Sequence, residues 1–167
     1  ELTISEVNAG TYCFEAPLVF DALKAITPDN DQNEYYLTDV VERLIERGRR
    51  VGAVVAPDER EVAGINDRVQ LAETETNLRW AIRRMHMRNG VTMLDPASIF
   101  IDEEVEIGVD TTIYPFTIIG AGTTIGQRCT IGPSTQLFAA TVEDDAEVIS
   151  SRVEQSVVRS GATVGPF

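Results

Sequence analysis

Basic residues are scarce in this sequence. Fourteen Lys and Arg stand against 27 Asp and Glu, a formal charge of −13. So acidic a chain argues against a duplex or phosphate-backbone partner, because proteins that bind nucleic acid gather basic patches. It argues equally against an anionic membrane surface. No run is long and apolar enough to span a bilayer. Cysteine is limited to Cys13 and Cys129, too few and too far apart for a disulfide framework or a metal knuckle, so a reduced cytosolic setting is the default. The one histidine, His86, lies in a helical stretch where packing or solvation explains it better than base catalysis. An initiating Met and a secretory leader are also lacking. The opening Glu1-Leu2-Thr3-Ile4-Ser5 alternates at once, and Gly165-Pro166-Phe167 follows a repeat with no polar cap. Both ends are therefore expected to be cut from something longer.

What the chain does have is a ladder. Ile101, Ile107, Ile113, Ile119, Ile125, Ile131 and Leu137 stand six apart. Neither a helix nor a plain strand repeats at six, but a β-helix of hexapeptides does. A second register, two places before the next aliphatic residue, holds Val105, Thr111, Thr117, Thr123, Cys129 and Thr135. Glycine follows the aliphatic residue at Gly108, Gly120, Gly126 and Gly132. The aliphatic side chain is expected to plug an interior and the glycine to permit a bend. After Leu137 the phase slips by one, then Val142, Val148, Val158 and Val164 resume it; a looped-out residue or short insertion is the expected cause.

The first half alternates helix and strand patterns, which points to an α/β sheet. Residues 1–14 read as one or two strands broken near Asn8-Ala9-Gly10. Pro17 to about Ile26 fits a short amphipathic helix. A second helix is expected from Asp39, with Glu42 completing a capping box, Val40, Val41, Leu44 and Ile45 facing inward, and Gly48 ending it. Val51–Val55 reads as a buried strand stopped by Pro57. From Asn66 to about Asn89 a long helix is expected, with Leu71, Leu78, Ile82 and Met85 on one stripe, a Glu75–Arg79 pair, and Gly90 as its stop. The expected domains are 1–65, a linking helix over 66–90, and the hexapeptide part over 91–167.

Three segments stand out in the first half: Glu6-Val7-Asn8-Ala9-Gly10, Glu34-Tyr35-Tyr36-Leu37-Thr38-Asp39, and Gly64-Ile65-Asn66-Asp67-Arg68-Val69-Gln70-Leu71. Alone, each has a plain explanation. Asn8 is an ordinary turn former, Asn66 a good helix N-cap, and Thr38-Asp39 a helix start. In this order and spacing, followed by Gly90-Val91-Thr92, Asp95-Pro96-Ala97, the hexads and Val164-Gly165-Pro166-Phe167, they resemble the bifunctional N-acetylglucosamine-1-phosphate uridyltransferase / glucosamine-1-phosphate acetyltransferase family.

That resemblance implies an architecture. The C-terminal portion of a Rossmann-like α/β nucleotidyltransferase domain is followed by a linking helix. A left-handed parallel β-helix of hexapeptide repeats comes next. It implies that Asn8 binds the sugar nucleotide and that Asn66 contacts the sugar nucleotide and ligates Mg²⁺, with Glu6 and Thr38 as supporting residues. A side-chain amide oxygen is a hard, neutral donor suited to Mg²⁺, which keeps few protein ligands. Asn66 could serve as N-cap or as ligand through one oxygen, but hardly as both. The implied substrates are UTP and N-acetylglucosamine 1-phosphate, giving UDP-N-acetylglucosamine for cell-wall synthesis. The second half of the enzyme would take acetyl-CoA. The implied assembly is a cytoplasmic homotrimer, without nucleic acid or membrane. The family's glycine-rich phosphate loop, the aspartate that completes its metal site and its acetyl-transfer histidine have no match here, so no catalytic residue is expected in this chain and it is expected to be inactive alone. Two other readings fit the same residues: a different sugar-1-phosphate nucleotidyltransferase with a hexapeptide tail, making an ADP- or dTDP-sugar, and a non-catalytic trimerising β-helix module.

Overall fold

The computed structural model describes residues 6–166. The chain divides into two compact units, Glu1–Gly64 and Ile65–Phe167. Among the described residues no helix is long and apolar enough to cross a membrane.

The second unit is dominated by a parallel β-solenoid of about four turns. Its strands are β1 (Thr92–Met93), β2 (Phe100–Ile101), β3 (Glu106–Ile107), β4 (Thr112–Ile113), β5 (Ile118–Ile119), β6 (Thr124–Ile125), β7 (Thr130–Ile131), β8 (Gln136–Phe138), β9 (Thr141–Val142), β10 (Glu147–Val148), β11 (Arg152–Glu154), β12 (Val157–Val158) and β13 (Thr163–Val164). Every third strand is a neighbour, so three flat sheets form, β1-β4-β7-β10-β13, β2-β5-β8-β11 and β3-β6-β9-β12. The expected ladder points inward: Ile113, Ile119, Ile131 and Leu137 are fully buried, and Ile101 and Ile125 nearly so. The second register is buried with it, and its polar atoms find partners. Thr117 donates to the Tyr114 carbonyl at 2.7 Å, Thr135 to that of Val148 at 3.1 Å, and Thr111 to that of Gly126 at 2.8 Å. A buried hydroxyl without such a partner would cost about 1–3 kcal/mol.

Two details of the repeat differ from expectation. The slip after Leu137 is a shortening, with no residue looped out. The inward step falls from six to five at Leu137–Val142, Val148–Val153 and Val153–Val158, which also seats Val153 in the core. Coils tighten accordingly: Thr112 pairs with Thr130, 18 residues on, Thr124 with Thr141 at 17, and Glu147 with Thr163 at 16. Nor do the glycines after Ile107, Ile119 and Ile125 make the bends. The left-handed backbone lies later, at Asp110, Phe116, Gly122, Arg128 and Ser134, three residues after the aliphatic position, and at Ala139, Ser150 and Gln155, two after it in the shortened corners. Gly108 and Gly126 are small because coils approach there. A Cβ on Gly108 would lie 2.6 Å from the Gly126 carbonyl oxygen, and one on Gly126 2.7 Å from the Asp144 nitrogen.

Helix α3 (Arg68–Arg88) belongs to the same unit and packs on β2. Its expected apolar stripe is mostly in solvent, with Leu71, Leu78 and Met85 exposed and only Ile82 against the core. The buried side carries Arg83 and His86. Arg83 makes this possible by donating from Nη1 to the carbonyls of Pro96 at 2.8 Å and Ile99 at 3.0 Å. Charged donors of this kind contribute about 1.5–3 kcal/mol each. Arg79 stacks on Phe100 with 4.5 Å between guanidinium carbon and ring centre, and pairs with Glu75 as expected. The helix ends at Gly90, whose φ of +92° lets Gly90 and Val91 return their N–H groups to Met87 and His86.

In the first unit, α1 (Ala16–Leu23) and α2 (Thr38–Glu46) pack around Ala22, Val40 and Leu44, with Phe14, Leu18, Val19 and Ile26 alongside. Gly48 ends α2 as expected, with a φ of +71°. The capping box does not form. Leu37, already helical, holds the N-cap position, so Asp39 falls inside the first turn, where its charge still favours the helix dipole. Val40 and Leu44 are buried, but Ile45 is exposed. The expected strand Val51–Val55 is irregular, and Val54 is 97% exposed. Residues 6–14 form no strand either, and residues 1–5 lie outside the described residues. A strand is stable only with neighbours to complete its ladder, and no β-ladder is present in this unit among the described residues, so a Rossmann-like sheet is not seen here.

Two outcomes follow for stability. Gly126→Ala, at a backbone that any residue tolerates, should lower the unfolding free energy in urea by about 1–3 kcal/mol through overpacking, while Thr124→Ala on the exposed face should change it by less than about 0.5 kcal/mol. Burial pulls the His86 imidazole below its ordinary value, and among the described residues its Nε2 has no hydrogen-bond partner. The unfolded chain, titrating near 6.5, therefore takes up the proton more readily than the folded one. The stability that neutral His86 allows is complete above about pH 6.5 and falls as the pH drops below it. Unfolding followed by Trp80 fluorescence between pH 7 and 5 should lose stability less steeply in His86→Gln than in the parent.

Candidate functional site

The expected site residues divide between the two units. Glu6, Asn8 and Thr38 belong to the first, Asn66 to the second. All four side chains are exposed.

Asn8 stands in a turn. Its Oδ1 accepts from the Gly10 N–H at 2.9 Å, and its Nδ2 donates to the Tyr12 hydroxyl. The Tyr12 ring in turn stacks on Phe14, with 5.5 Å between centroids, and Phe14 leans on the small core of α1 and α2. The amide is thus held in one orientation, with a second lone pair and a second N–H left over for a ligand. Thr38 opens α2, and Glu6 precedes the turn; among the described residues no hydrogen bond joins either to Asn8.

Asn66 is not the N-cap of α3. That role falls to Asp67, whose extended backbone and Oδ1 accept the Gln70 N–H at 2.8 Å. The Asn66 backbone N–H donates to Gln70 Oε1 at 2.7 Å. Among the described residues no hydrogen bond engages the Asn66 side-chain amide. The competition between cap and ligand therefore disappears: the neighbour caps, and the Asn66 oxygen is free to coordinate. As a neutral hard donor it fits one position around Mg²⁺. It supplies one position only. Among the described residues no three of His, Cys, Asp and Glu gather so as to hold a metal ion. Asp67 and Gln70 stand at the helix-cap spacing of an acceptor and a glutamine three residues on, a signal present in the sequence and overshadowed by Asn66. Nothing in the sequence pointed to Tyr12.

The remaining chemistry-bearing groups are occupied elsewhere. His86 is buried, at 3% exposure. Cys129 is in the solenoid core, its thiol directed at the carbonyls of Gln127 and Glu143, and burial pushes it up from its ordinary value. Cys13 is exposed. The charged corners of the solenoid pair among themselves, Arg128 with Asp145 at 2.7 Å and Arg159 with Glu143 at 2.6 Å.

No family model matches the chain. Curated relatives do, along its whole length. The Bifunctional protein GlmU of Acetivibrio thermocellus is 49% identical over 167 residues, that of Heliobacterium modesticaldum 48% over 165, and that of Clostridium botulinum strain Loch Maree 46% over 167. The chain spans about 36% of the length of each of these relatives. The resemblance carried by the Asn8 and Asn66 segments and the hexads thus holds from one end of the chain to the other.

The two thiols should separate cleanly by reactivity. One equivalent, Cys13, should react with a disulfide reagent in the folded protein at pH 8, and two in denaturant, since thiolate character and access both fail at Cys129. Rapid loss of two thiols in the native state would show the solenoid to be open.

Proposed function

We propose that this chain, alike to GlmU proteins throughout, is the segment in which a sugar-1-phosphate uridyltransferase domain passes into an acetyltransferase prism. The observation that carries the reading is the conjunction of near-50% identity over all 167 residues with a hexapeptide solenoid and a free Asn66 at the head of α3. The alternative nucleotidyltransferases and the purely structural module are less favoured, because the relatives named are all of one bifunctional kind.

In this reading residues 1–65 end the nucleotidyltransferase domain, 66–90 link, and 91–167 begin a left-handed β-helix. The complete protein joins UTP to N-acetylglucosamine 1-phosphate. A sugar-phosphate oxygen attacks the α-phosphorus in line, the bond to the β-phosphate oxygen breaks, and pyrophosphate leaves with the electron pair. Asn8, fixed by Gly10 and Tyr12, offers its remaining N–H and lone pair to the sugar nucleotide. Asn66 contributes an amide oxygen, and Glu6 and Thr38 support. Mg²⁺, when bound, would offset charge on the phosphates, with Asn66 as one of its ligands. The work of these residues is positioning. The exposed Phe116 offers the prism an apolar contact for assembly, and in this reading the complete protein is a cytoplasmic homotrimer. The acetyl-CoA reaction belongs to the complete protein.

The 167-residue chain, given UTP, N-acetylglucosamine 1-phosphate and Mg²⁺, should form no UDP-N-acetylglucosamine, and given acetyl-CoA and glucosamine 1-phosphate no acetylated sugar; the complete protein should do both. A complete protein that prefers another nucleotide sugar, or that performs neither reaction, would overturn the assignment.

A further inference from the structure

The segment before α3 carries a hydrogen-bond pattern that an ordinary helix start does not need. In a capping box the residue at the third helical position returns its side chain to the N–H of the cap residue itself. Here the cap is Asp67, yet Gln70 reaches one residue further back, to the Asn66 N–H at 2.7 Å, while its own N–H is held by Asp67 at 2.8 Å. Asp67 alone secures the helix start. The bond to Asn66 adds nothing to the helix ladder; what it fixes is the backbone of the residue outside it. Its consequence is geometric. Asn66 is tied by its backbone to the first turn of a helix whose other end is anchored in the solenoid by Arg83, and its side chain is exposed with no hydrogen bond of its own among the described residues.

We propose that Gln70 is a positioning residue for Asn66: it holds the Asn66 backbone so that the side-chain amide is presented, already ordered, to the sugar nucleotide. The proposal rests on the reading of Asn66 as a sugar-nucleotide contact. A loop residue that must be ordered on binding gives up backbone freedom. An anchor present before binding removes that cost, and 1.4 kcal/mol is a factor of ten in affinity. Groups that orient a metal ligand, the role proposed for Asn66, commonly carry effects of about 10–100-fold.

The test uses the complete protein and calorimetric titration with UDP-N-acetylglucosamine in saturating Mg²⁺, with thermal unfolding measured alongside. Gln70→Ala should raise Kd about tenfold. Asp67→Ala, which removes the helix cap and leaves the Gln70–Asn66 bond possible, should lower Tm at least as much as Gln70→Ala and keep Kd within about threefold of the parent. Asn66→Ala should weaken binding more than either. If Asn66→Ala weakens binding and Gln70→Ala does not, the positioning role is wrong and the reading of Asn66 stands. If Asp67→Ala weakens binding as much as Gln70→Ala, the pair serves only the helix and the proposal falls. If Asn66→Ala binds like the parent, Asn66 is no contact and both fall together.

Discussion

The interior of the solenoid admits one aliphatic side chain per strand, and nearly everything else in the second unit follows from that. A strand of two residues has one inward position, so the side chain there must be large enough to meet its counterparts from the other two faces. Isoleucine fills this place from Ile101 to Ile131, Leu137 follows, and valine takes over from Val142 onward, where the coil has shortened to 16 or 17 residues. A smaller perimeter needs a smaller plug. The flanking inward position lies nearer the corner and takes threonine, whose methyl packs and whose hydroxyl reaches a carbonyl across the bend. Stacking of coils supplies the backbone hydrogen bonds between them, and close stacking is what excludes a Cβ at Gly108 and Gly126. Size, polarity and spacing are thus one constraint seen at three positions of the repeat.

Residues governed by that constraint could be read from the sequence. The six-step from Ile101 to Leu137 and the threonine register appear in the structure where expected, because a solenoid repeats the same local contact and a one-dimensional pattern records it. Where the contact changed, the pattern misled. Val153 was missed because the step shortened on both sides of it, and a shortened corner and an insertion produce the same phase slip in sequence. Of the four glycines only Gly132, with a φ of +99°, has the left-handed backbone expected of a bend, and Gly108, Gly120 and Gly126 were explained wrongly: spacing reveals that a residue is small, but whether a neighbour crowds it or its own φ requires it depends on the coil above. In the first unit the helices and the Gly48 stop were readable. Val51–Val55 was not, because an apolar β-rich run becomes a strand only beside another strand.

The misreading of α3 is of a different kind. An apolar stripe at Leu71, Leu78 and Met85 predicts the buried face of a helix when burial is purely hydrophobic. The helix instead buries Arg83, because the turn at Pro96–Ile99 presents carbonyls with unfilled acceptor capacity and a guanidinium can answer several of them at once. Burial, with Arg79 nearby, lowers the Arg83 guanidinium from its ordinary value, yet it stays charged at neutral pH. Carbonyls exposed by an irregular turn are invisible to hydropathy, so a helix that docks through them looks inverted.

The candidate site was readable in part, and the division has a physical origin. Asn8 and Asn66 became candidates through short segments whose residue types are chemically suited to sugar hydroxyls, carbonyls and Mg²⁺. Their supports were not found, since Tyr12 and Gln70 act only through geometry that a sequence does not display. The conflict at Asn66 shows why this matters. A single amide oxygen cannot both cap a helix and hold a ligand, and sequence alone leaves that choice open. The structure gives the capping task to Asp67, which accepts the helical N–H, while the Gln70 side chain accepts the N–H of Asn66. Of two adjacent residues that both look like caps, one satisfies the helix, and the other, relieved of that duty, has a side-chain amide that no hydrogen bond engages among the described residues. The same logic holds at Asn8, where Gly10 and Tyr12 each take one donor or acceptor of the amide and leave one of each. At Asn8 the side-chain amide is held and at Asn66 only the backbone, and in both places part of the amide's hydrogen-bonding capacity stays unspent among the described residues, so that a polar ligand could be met without first giving up a bond to the chain itself.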